Sequence, residues 1–514
     1  MQDTYIKSDI KLTIGILISD RKKYIRDALE ALKPLLSAIP SELILVDTKG
    51  GAGNESIEIA REYTDKIYPF AWCNDFAAAR NVCLKHASGE WFLFQDDDEV
   101  FDDVQELIEF FRSGECNQYG SGFYYAKNYS ADGGYKMSVL GRMVRRTPDI
   151  RFVGTVHEHF NRVPLPHKVF SCFVHHYGYV FATEEEKKEH QRRNVTLLQK
   201  DLKEQGITPR ICAQMVQELL LCKDTQDAGY EFGLKGLAEL EKKKQLQDAC
   251  TQWTMVALVR YFKVKQDYQG LMEQARSIRE NYKLSQMAQL ALAGVVIETS
   301  APEGNVRAIL EYAPLYKEAW DWLNNHEKEA VTQNQMDFSN YRDREYAIQV
   351  FQAAATCANA VGRFEEAMEY WSYLPWEDKE FDASPYEAEK QKTEQGLKEV
   401  FAYREGIKEV QNLMDVWKEA ASVVRSLLET NRASQAIELL SGMQEVVIAL
   451  GNRLEQLLGE ERSADVIRLL EQCCEEIWQC ANGEHLQEML NTYSGVERIM
   501  YQMEEYCLEL SKIL

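Results

Sequence analysis

Over the first hundred residues, short apolar runs alternate with stretches of helical periodicity, and this alternation limits the fold more than any other feature of the chain. Thr13 to Ile18 (TIGILI) is a continuous apolar run that predicts a strand buried on both faces. Tyr24 to Leu36 follows, with Ile25, Leu29 and Leu32 at helical spacing. Leu43 to Val46 predicts a second buried strand, ended by Asp47 and the glycine-rich turn Gly50-Gly51-Ala52-Gly53. A helix over 56–63, a strand over 66–68, a helix over 77–86 and a strand over Trp91 to Phe94 complete the series. Such alternation predicts a largely parallel sheet with helices on its faces. Between 120 and 180 the texture changes to strand-like pieces without clear helices: GFYYAKN, MSVLGRMVRR, DIRFVGTVHEHF and KVFSCFVHHYGY.

From Thr183 onward the chain reads as helical. Val361-Gly362-Arg363 punctuates a stretch whose small and aromatic residues are spaced as in a tetratricopeptide helix–turn–helix. Weaker pairs run through 213–221 with 228–240 and through 255–262 with 271–278. No proline follows Pro385, and apolar residues recur there at helical spacing, which predicts a bundle of long helices. The expected domains are therefore 1–182 (α/β), 183–384 (degenerate helical repeats) and 385–514 (helical bundle).

At 514 residues the chain exceeds one hydrophobic core. Its formal charge of −23 argues against a nucleic-acid or anionic-membrane binder, because phosphate neutralisation needs clustered Lys and Arg. No apolar stretch approaches the ~18 residues of a membrane span, and the N-terminus lacks a signal-peptide layout. Twelve cysteines without a repeated C-x-x-C fit reduced thiols, so a cytoplasmic location is expected.

The acidic run Asp96-Asp97-Asp98-Glu99 lies just after the WFLF strand, at the carboxyl edge of the sheet where open α/β folds bind ligands. Asp96 and Asp98 there can hold Mg²⁺ or Mn²⁺ against a diphosphate, since hard cations take oxygen ligands; the plainer alternative is an acidic loop or a helix start. Asp47, also at a strand end, is either an acceptor for a base or ribose or a turn-forming aspartate. Arg80 suits a diphosphate, or else a structural salt bridge. Five of nine histidines fall between 157 and 176. If His157-Glu158-His159 is a strand, alternation puts Glu158 on one face and both histidines on the other.

The string VDTKGGAGNESIEIAREYTDKIYPFAWCNDFAAARNVCLKHASGEWFLFQDDDEVF resembles the family 2 glycosyltransferases with the GT-A fold. It is similar to a bacterial subgroup patterned V-D-T-x-S-x-D-x-T, W-x-D-D-F-S-x-A-R-N and G-E-W-I-L-x-L-D-A-D-E, with later H-E and H-x-G-Y segments matched by GTVHEHF and VHHYGY. The resemblance covers about 200 residues and implies a nucleotide sugar, UDP-linked, as donor. By it Asp47 would bind uracil or ribose, and Asp75, Arg80 and Asn81 would shape the nucleotide pocket. Asp96 and Asp98 would fill the acidic positions of D-x-D, with Asp98 the direct metal ligand and Asp96 also meeting the nucleotide. His176 would complete the metal shell, and Glu158, with His157 second, would be the general base. The chain departs from the pattern at Lys49 to Asn54 and at Asp97, where the family has a small residue. The resemblance implies an inverting transfer, and the helical repeats, which present extended concave surfaces, favour a protein or peptide acceptor on Ser or Thr. The C-terminal helices resemble segments found with proteins of flagellar gene clusters, which makes flagellin the favoured acceptor. Glycosylation of a bacteriocin-like peptide on Cys or Ser, extension of a glycan, and a non-catalytic scaffold are the alternatives. A homo-oligomer, if formed, is expected through the C-terminal helices.

Overall fold

The structure, a computed structural model, describes residues 4–19, 22–50, 54–130, 133–178, 180–181, 183–326, 339–458, 462–479 and 485–513. Gly51 to Gly53 of the glycine-rich turn and Tyr179 of the HHYGY segment lie outside the described residues. Two compact units are present, Met1–Cys357 and Ala358–Leu514.

In the first unit, β1 (Leu12–Ile18), β2 (Ser41–Asp47), β3 (Ile67–Pro69) and β4 (Trp91–Asp96) pair in parallel in the order β3-β2-β1-β4. The apolar runs are buried on both faces, as expected. Ile14, Ile16, Leu43, Leu45, Trp91 and Leu93 pack with α1 (Lys22–Ala38) and a helix at Gln105–Arg112, designated α4. Leu17, Ile44, Val46, Phe92 and Phe94 face the other way, onto α3 (Phe76–His86). A short α2 (Glu55–Ala60) follows β2. Alternation along each strand thus feeds two separate cores.

The sheet is mixed rather than largely parallel. The 120–180 segment adds β6 (Ser121–Tyr129), β7 (Tyr135–Arg145) and β10 (His167–His176), with a three-residue β5 (Glu99–Phe101). The order continues β4-β7-β6-β10-β5, and the β4–β7, β7–β6 and β10–β5 pairs are antiparallel. A hairpin joining β6 to β7 permits this, because antiparallel neighbours need no helical crossover.

The DIRFVGTVHEHF segment is not one strand. Phe152–Val153 (β8) and His159–Phe160 (β9) form a two-stranded ribbon, and 154–158 is a turn with Gly154 at φ 94° and His157 at φ 51°. The strand alternation expected for His157, Glu158 and His159 does not apply, and all three line one cleft.

The helical region starts at α5 (Glu184–Gln205), where the Thr183 hydroxyl accepts from the Glu186 N–H at 3.2 Å. Then come α6 (Pro209–Leu221), α7 (Gln226–Lys242), α8 (Ala249–Lys265), α9 (Tyr268–Asn281), α10 (Gln286–Ser300) and α11 (Val306–Asn325). The expected pairs fall on α6 with α7 and on α8 with α9. Gly362, at φ 76°, separates helices Arg344–Ala360 and Phe364–Trp371. In the second unit a helix of 46 residues, Ser384–Glu429, buries Val410, Met414, Trp417 and Val424 in a core with Leu450, Cys473, Tyr493 and Met500. Among the described residues no helix is long and apolar enough to cross a membrane.

Glu42 ties the parallel strands together. Its Oε1 accepts from the Thr13 hydroxyl at 2.6 Å and from the Ser88 N–H and hydroxyl at 2.6 and 2.7 Å, and its Oε2 meets Lys66 Nζ at 2.6 Å. Burial pushes this carboxyl up, but the hydrogen bonds from Lys66, Thr13 and Ser88 outweigh it and bring it down to about 2. A depressed carboxyl adds stability above its unfolded value of ~4.3, and that stability is lost as pH falls toward 2. Between pH 5 and 2 the wild-type melting temperature should fall more steeply than that of Glu42→Gln, by the equivalent of about 2 kcal/mol. Parallel melting curves for the two proteins would contradict this.

Candidate functional site

The carboxyl ends of β1 and β4 open into a cleft of about 2010 Å³. Its walls include Leu17, Ser19 and Thr48, the run Asp96 to Glu99, Arg142, the turn residues His157 to His159, and His176 with Gly178. Helices α5 and α6 also reach it, through Lys187, His190, Arg193, Arg210 and Gln214.

Asp96 is the last residue of β4, Asp97 and Asp98 form the turn, and Glu99 opens β5. The acidic run is therefore a strand-to-strand turn, the loop form of the plainer alternative, and not a helix start. Both Asp96 oxygens face arginines: Oδ1 meets Arg80 Nη2, and Oδ2 meets Arg142 Nη2 at 2.9 Å. Burial alone would raise this carboxyl, but the charges of Arg80 and Arg142 hold it well below the usual carboxylate range. Arg142 also reaches Glu99 Oε1 at 2.7 Å, and Glu99 Oε2 accepts the Asp96 N–H at 3.2 Å. Asp97 accepts from the Ser19 N–H and hydroxyl at 2.8 and 2.7 Å.

Arg80, on α3, is buried at 1% exposure. Its Nη1 donates to the Gln95 carbonyl at 2.9 Å and its Nε to Glu158 Oε1 at 2.9 Å. Both Arg80 and Arg142 lie against the Phe94 ring, at 4.8 and 4.4 Å. These contacts are the salt-bridge fate weighed for Arg80 from sequence.

His176 ends β10. Its Nδ1 pairs with Asn128 Oδ1 at 2.7 Å, and the Asn128 amide nitrogen is committed to Ser138 Oγ at 2.6 Å and the Lys136 carbonyl at 3.2 Å. The amide orientation makes Nδ1 the N–H donor and leaves the lone pair on Nε2. Nε2 lies 3.7 Å from Asp98 Oδ1. A Cβ at Gly178 would stand 2.6 Å from that same Nε2 and 3.2 Å from Asp98 Oδ2, so glycine keeps a notch open between the two groups. Asp96, Glu99 and His176 can each bring one ligand atom within 4.8 Å of the others.

The remaining sequence candidates stand around this centre. One Asp47 oxygen accepts from the N–H groups of Lys49 and Gly50 at 3.1 and 3.0 Å, beside Thr48 of the cleft wall. Asp75 caps α3 through the Ala78 N–H at 2.8 Å. The Asn81 amide grips Phe152, donating to its carbonyl at 3.0 Å and accepting its N–H at 2.9 Å. His157 Nε2 meets Glu218 of α6 at 2.9 Å. His159 is pushed down to about 4 by burial and by the nearby Arg210 charge, so it is neutral at pH 7. Sequence reasoning missed Glu99, Asn128 and Glu218. Glu99 was in view as the last letter of the acidic run, whereas nothing local marks the others.

Residues 13–163 match the family model described as Glycosyl transferase family 2. The SPbeta prophage-derived glycosyltransferase SunS of Bacillus subtilis is 28% identical over 241 residues, which span 44% of this chain and 54% of that protein. A TPR repeat-containing protein of Synechococcus elongatus is 33% identical over 137 residues, or 26% of this chain and 33% of its own length. The chain therefore spans about half or less of the curated relatives it matches. Among solved structures, S. aureus TarS 1-349 aligns at 15% identity over 53% of this chain and 92% of its own, with a TM-score of 0.26. TarS 1-349 in complex with UDP-GlcNAc aligns at 13% identity over 60% and 91%, also with a TM-score of 0.26. By the family model, residues 13–163 of this chain are a family 2 glycosyltransferase domain.

Proposed function

We propose that the chain transfers a sugar from a UDP-linked donor to a protein or peptide, with inversion, and uses Mn²⁺ or Mg²⁺. The observation that carries this reading is the juxtaposition of Asp98 and His176, whose Nδ1 faces Asn128, beside a glycine notch at the carboxyl edge of a family 2 domain. A carboxylate oxygen suits a hard divalent ion, and an imidazole whose far side is held by an amide is oriented to join it. Asp98 and His176 would hold that ion. Asp96, bound by two arginines, would fix the geometry behind them and meet the nucleotide end of the donor. When bound, the ion neutralises charge building on the departing diphosphate.

This chain's own groups do the rest. Asp47 and Thr48 border the expected nucleotide end, and Arg142 brings positive charge to the cleft. The acceptor's proton passes to one of two groups in the 154–158 turn, Glu158 or His157. As the acceptor oxygen bonds the anomeric carbon, the bond to the diphosphate breaks, and one displacement inverts the configuration.

A polypeptide acceptor is favoured because α5 and α6 form part of the cleft wall and helical repeats present extended surfaces. Flagellin is the first acceptor to test and a bacteriocin-like peptide the second; a non-catalytic scaffold would turn over neither. Self-association would use the C-terminal helices, whose surfaces expose Trp478 and Tyr501.

Donor hydrolysis in Mn²⁺, with water as acceptor, tests the reading without a known acceptor. Asp98→Ala should lower the rate by about 10²–10³ without loss of melting temperature, the scale of one lost electrostatic stabiliser. Asp96→Ala should also raise the KM for the donor. Wild-type turnover by Asp98→Ala would refute the metal assignment. Gly178→Ala should need more than tenfold higher Mn²⁺ for half-maximal rate, since its methyl occupies the notch; an unchanged Mn²⁺ requirement would remove the notch from the site.

A further inference from the structure

The turn that offers Glu158 and His157 is held by the helical region, and the hold falls on His157. Its backbone sits at φ 51°, a left-handed conformation that is uncommon outside glycine and that histidine, asparagine and aspartate adopt more readily than other residues. Two residues of α6 keep it there. Arg210 Nη2 donates to the His157 carbonyl at 3.3 Å, and Glu218 Oε1 receives His157 Nε2 at 2.9 Å. Glu218 is buried, with its side chain 6% exposed. Its Oε1 also accepts from Asn194 Nδ2 at 2.9 Å, its carbonyl accepts from Gln191 Nε2 at 2.9 Å, and its Oε2 is buried without a hydrogen-bond partner. Burial raises the Glu218 carboxyl, yet the hydrogen bond and charge of His157 bring it below its ordinary value. The carboxylate is thus present and faces the imidazole.

Such a carboxylate makes Nε2 the N–H donor and leaves the lone pair on Nδ1 of a ring that lines the cleft at 26% exposure. The two groups of the turn then differ in what happens when they gain a proton. Glu158 Oε1 is bound to the buried Arg80, so protonating Glu158 takes a counter-charge from a guanidinium that has left water. Protonating His157 places a cation beside a buried carboxylate whose second oxygen is unpartnered. Of the two, His157 is the one backed by a carboxylate.

From this geometry we infer that His157 is the general base of the transfer and that Glu218, supplied by the helical region, is its positioning residue. The inference rests on the glycosyltransferase reading. His157 Nδ1 takes the proton of the acceptor O–H or S–H while that atom bonds the anomeric carbon. The electron pair of the broken carbon–oxygen bond leaves with the diphosphate, and the imidazolium later gives its proton to water. Glu218 stays ionised throughout and balances the imidazolium. The family 2 domain is then chemically incomplete without α6.

The test uses the full chain, Mn²⁺ and UDP-GlcNAc as probe, with water as acceptor. His157→Gly, at ease at positive φ, should lower hydrolysis by roughly 10²–10⁴, and added imidazole should restore at least tenfold of the loss. Glu218→Gln should lower kcat at least tenfold with the donor KM within twofold of wild type. If that variant melts early, Glu218→Asp, which withdraws the same charge by one methylene, should show the same split between kcat and KM. Glu158→Gln should lose melting temperature, because Arg80 loses its partner, and added imidazole should restore none of whatever rate it loses. A folded Glu158→Gln without turnover, beside His157→Gly at full rate or deaf to imidazole, overturns the inference but leaves the enzyme reading intact. A wild type inert toward UDP-GlcNAc and other UDP-sugars overturns both.

Discussion

The guanidinium of Arg80 holds three parts of the chain at one point. It leaves α3, takes the Gln95 carbonyl and Asp96 at the end of β4, and takes Glu158 from the turn between β8 and β9. A charge at 1% exposure is costly unless paired and hydrogen-bonded, and here each pairing also fixes a backbone segment. Removing one anion would leave a buried cation underpaired, so the three segments depend on one another for its burial. Arg142 repeats the device from β7, linking Asp96 to Glu99. Two arginines thus immobilise the acidic run and leave Asp98 and His176 as the pair beside the glycine notch.

That division of labour explains how much of the site was legible. Asp96 and Asp98 could be placed from sequence because β4 is apolar on both faces, and a run of that kind must end at the sheet's ligand-binding edge. The spacing of D-D-D gave the middle aspartate no role, and the structure ties it to Ser19. The fold class followed from the same periodicities, and the helix pairs after Thr183 followed from their small and aromatic residues. The antiparallel half of the sheet was legible only as strand-like texture, since pairing partners are not written in a local pattern.

The misreading of His157-Glu158-His159 has a definite cause. Its flanks are rich in β-formers, so alternation is the natural assumption, and only Gly154 hints at a break. What bends the turn lies elsewhere in the chain: Asn81 pins Phe152, Arg80 holds Glu158, and Glu218 and Arg210 hold His157. Asn128 escaped notice for the same reason, since its role is to orient His176 from a neighbouring strand. Groups that touch the cleft could be nominated one by one, whereas groups that orient them are visible only in three dimensions.

The central claim is that this cleft binds a nucleoside diphosphate together with a divalent ion. Calorimetric titration of UDP into the full chain, in Mn²⁺ and again in excess EDTA, tests it most directly. One site per chain is expected in Mn²⁺, with an affinity at least tenfold weaker in EDTA, because the diphosphate would then lose the counter-charge of an ion that Asp98 and His176 would hold. Equal affinity in the two buffers, or no UDP binding in either, would contradict it.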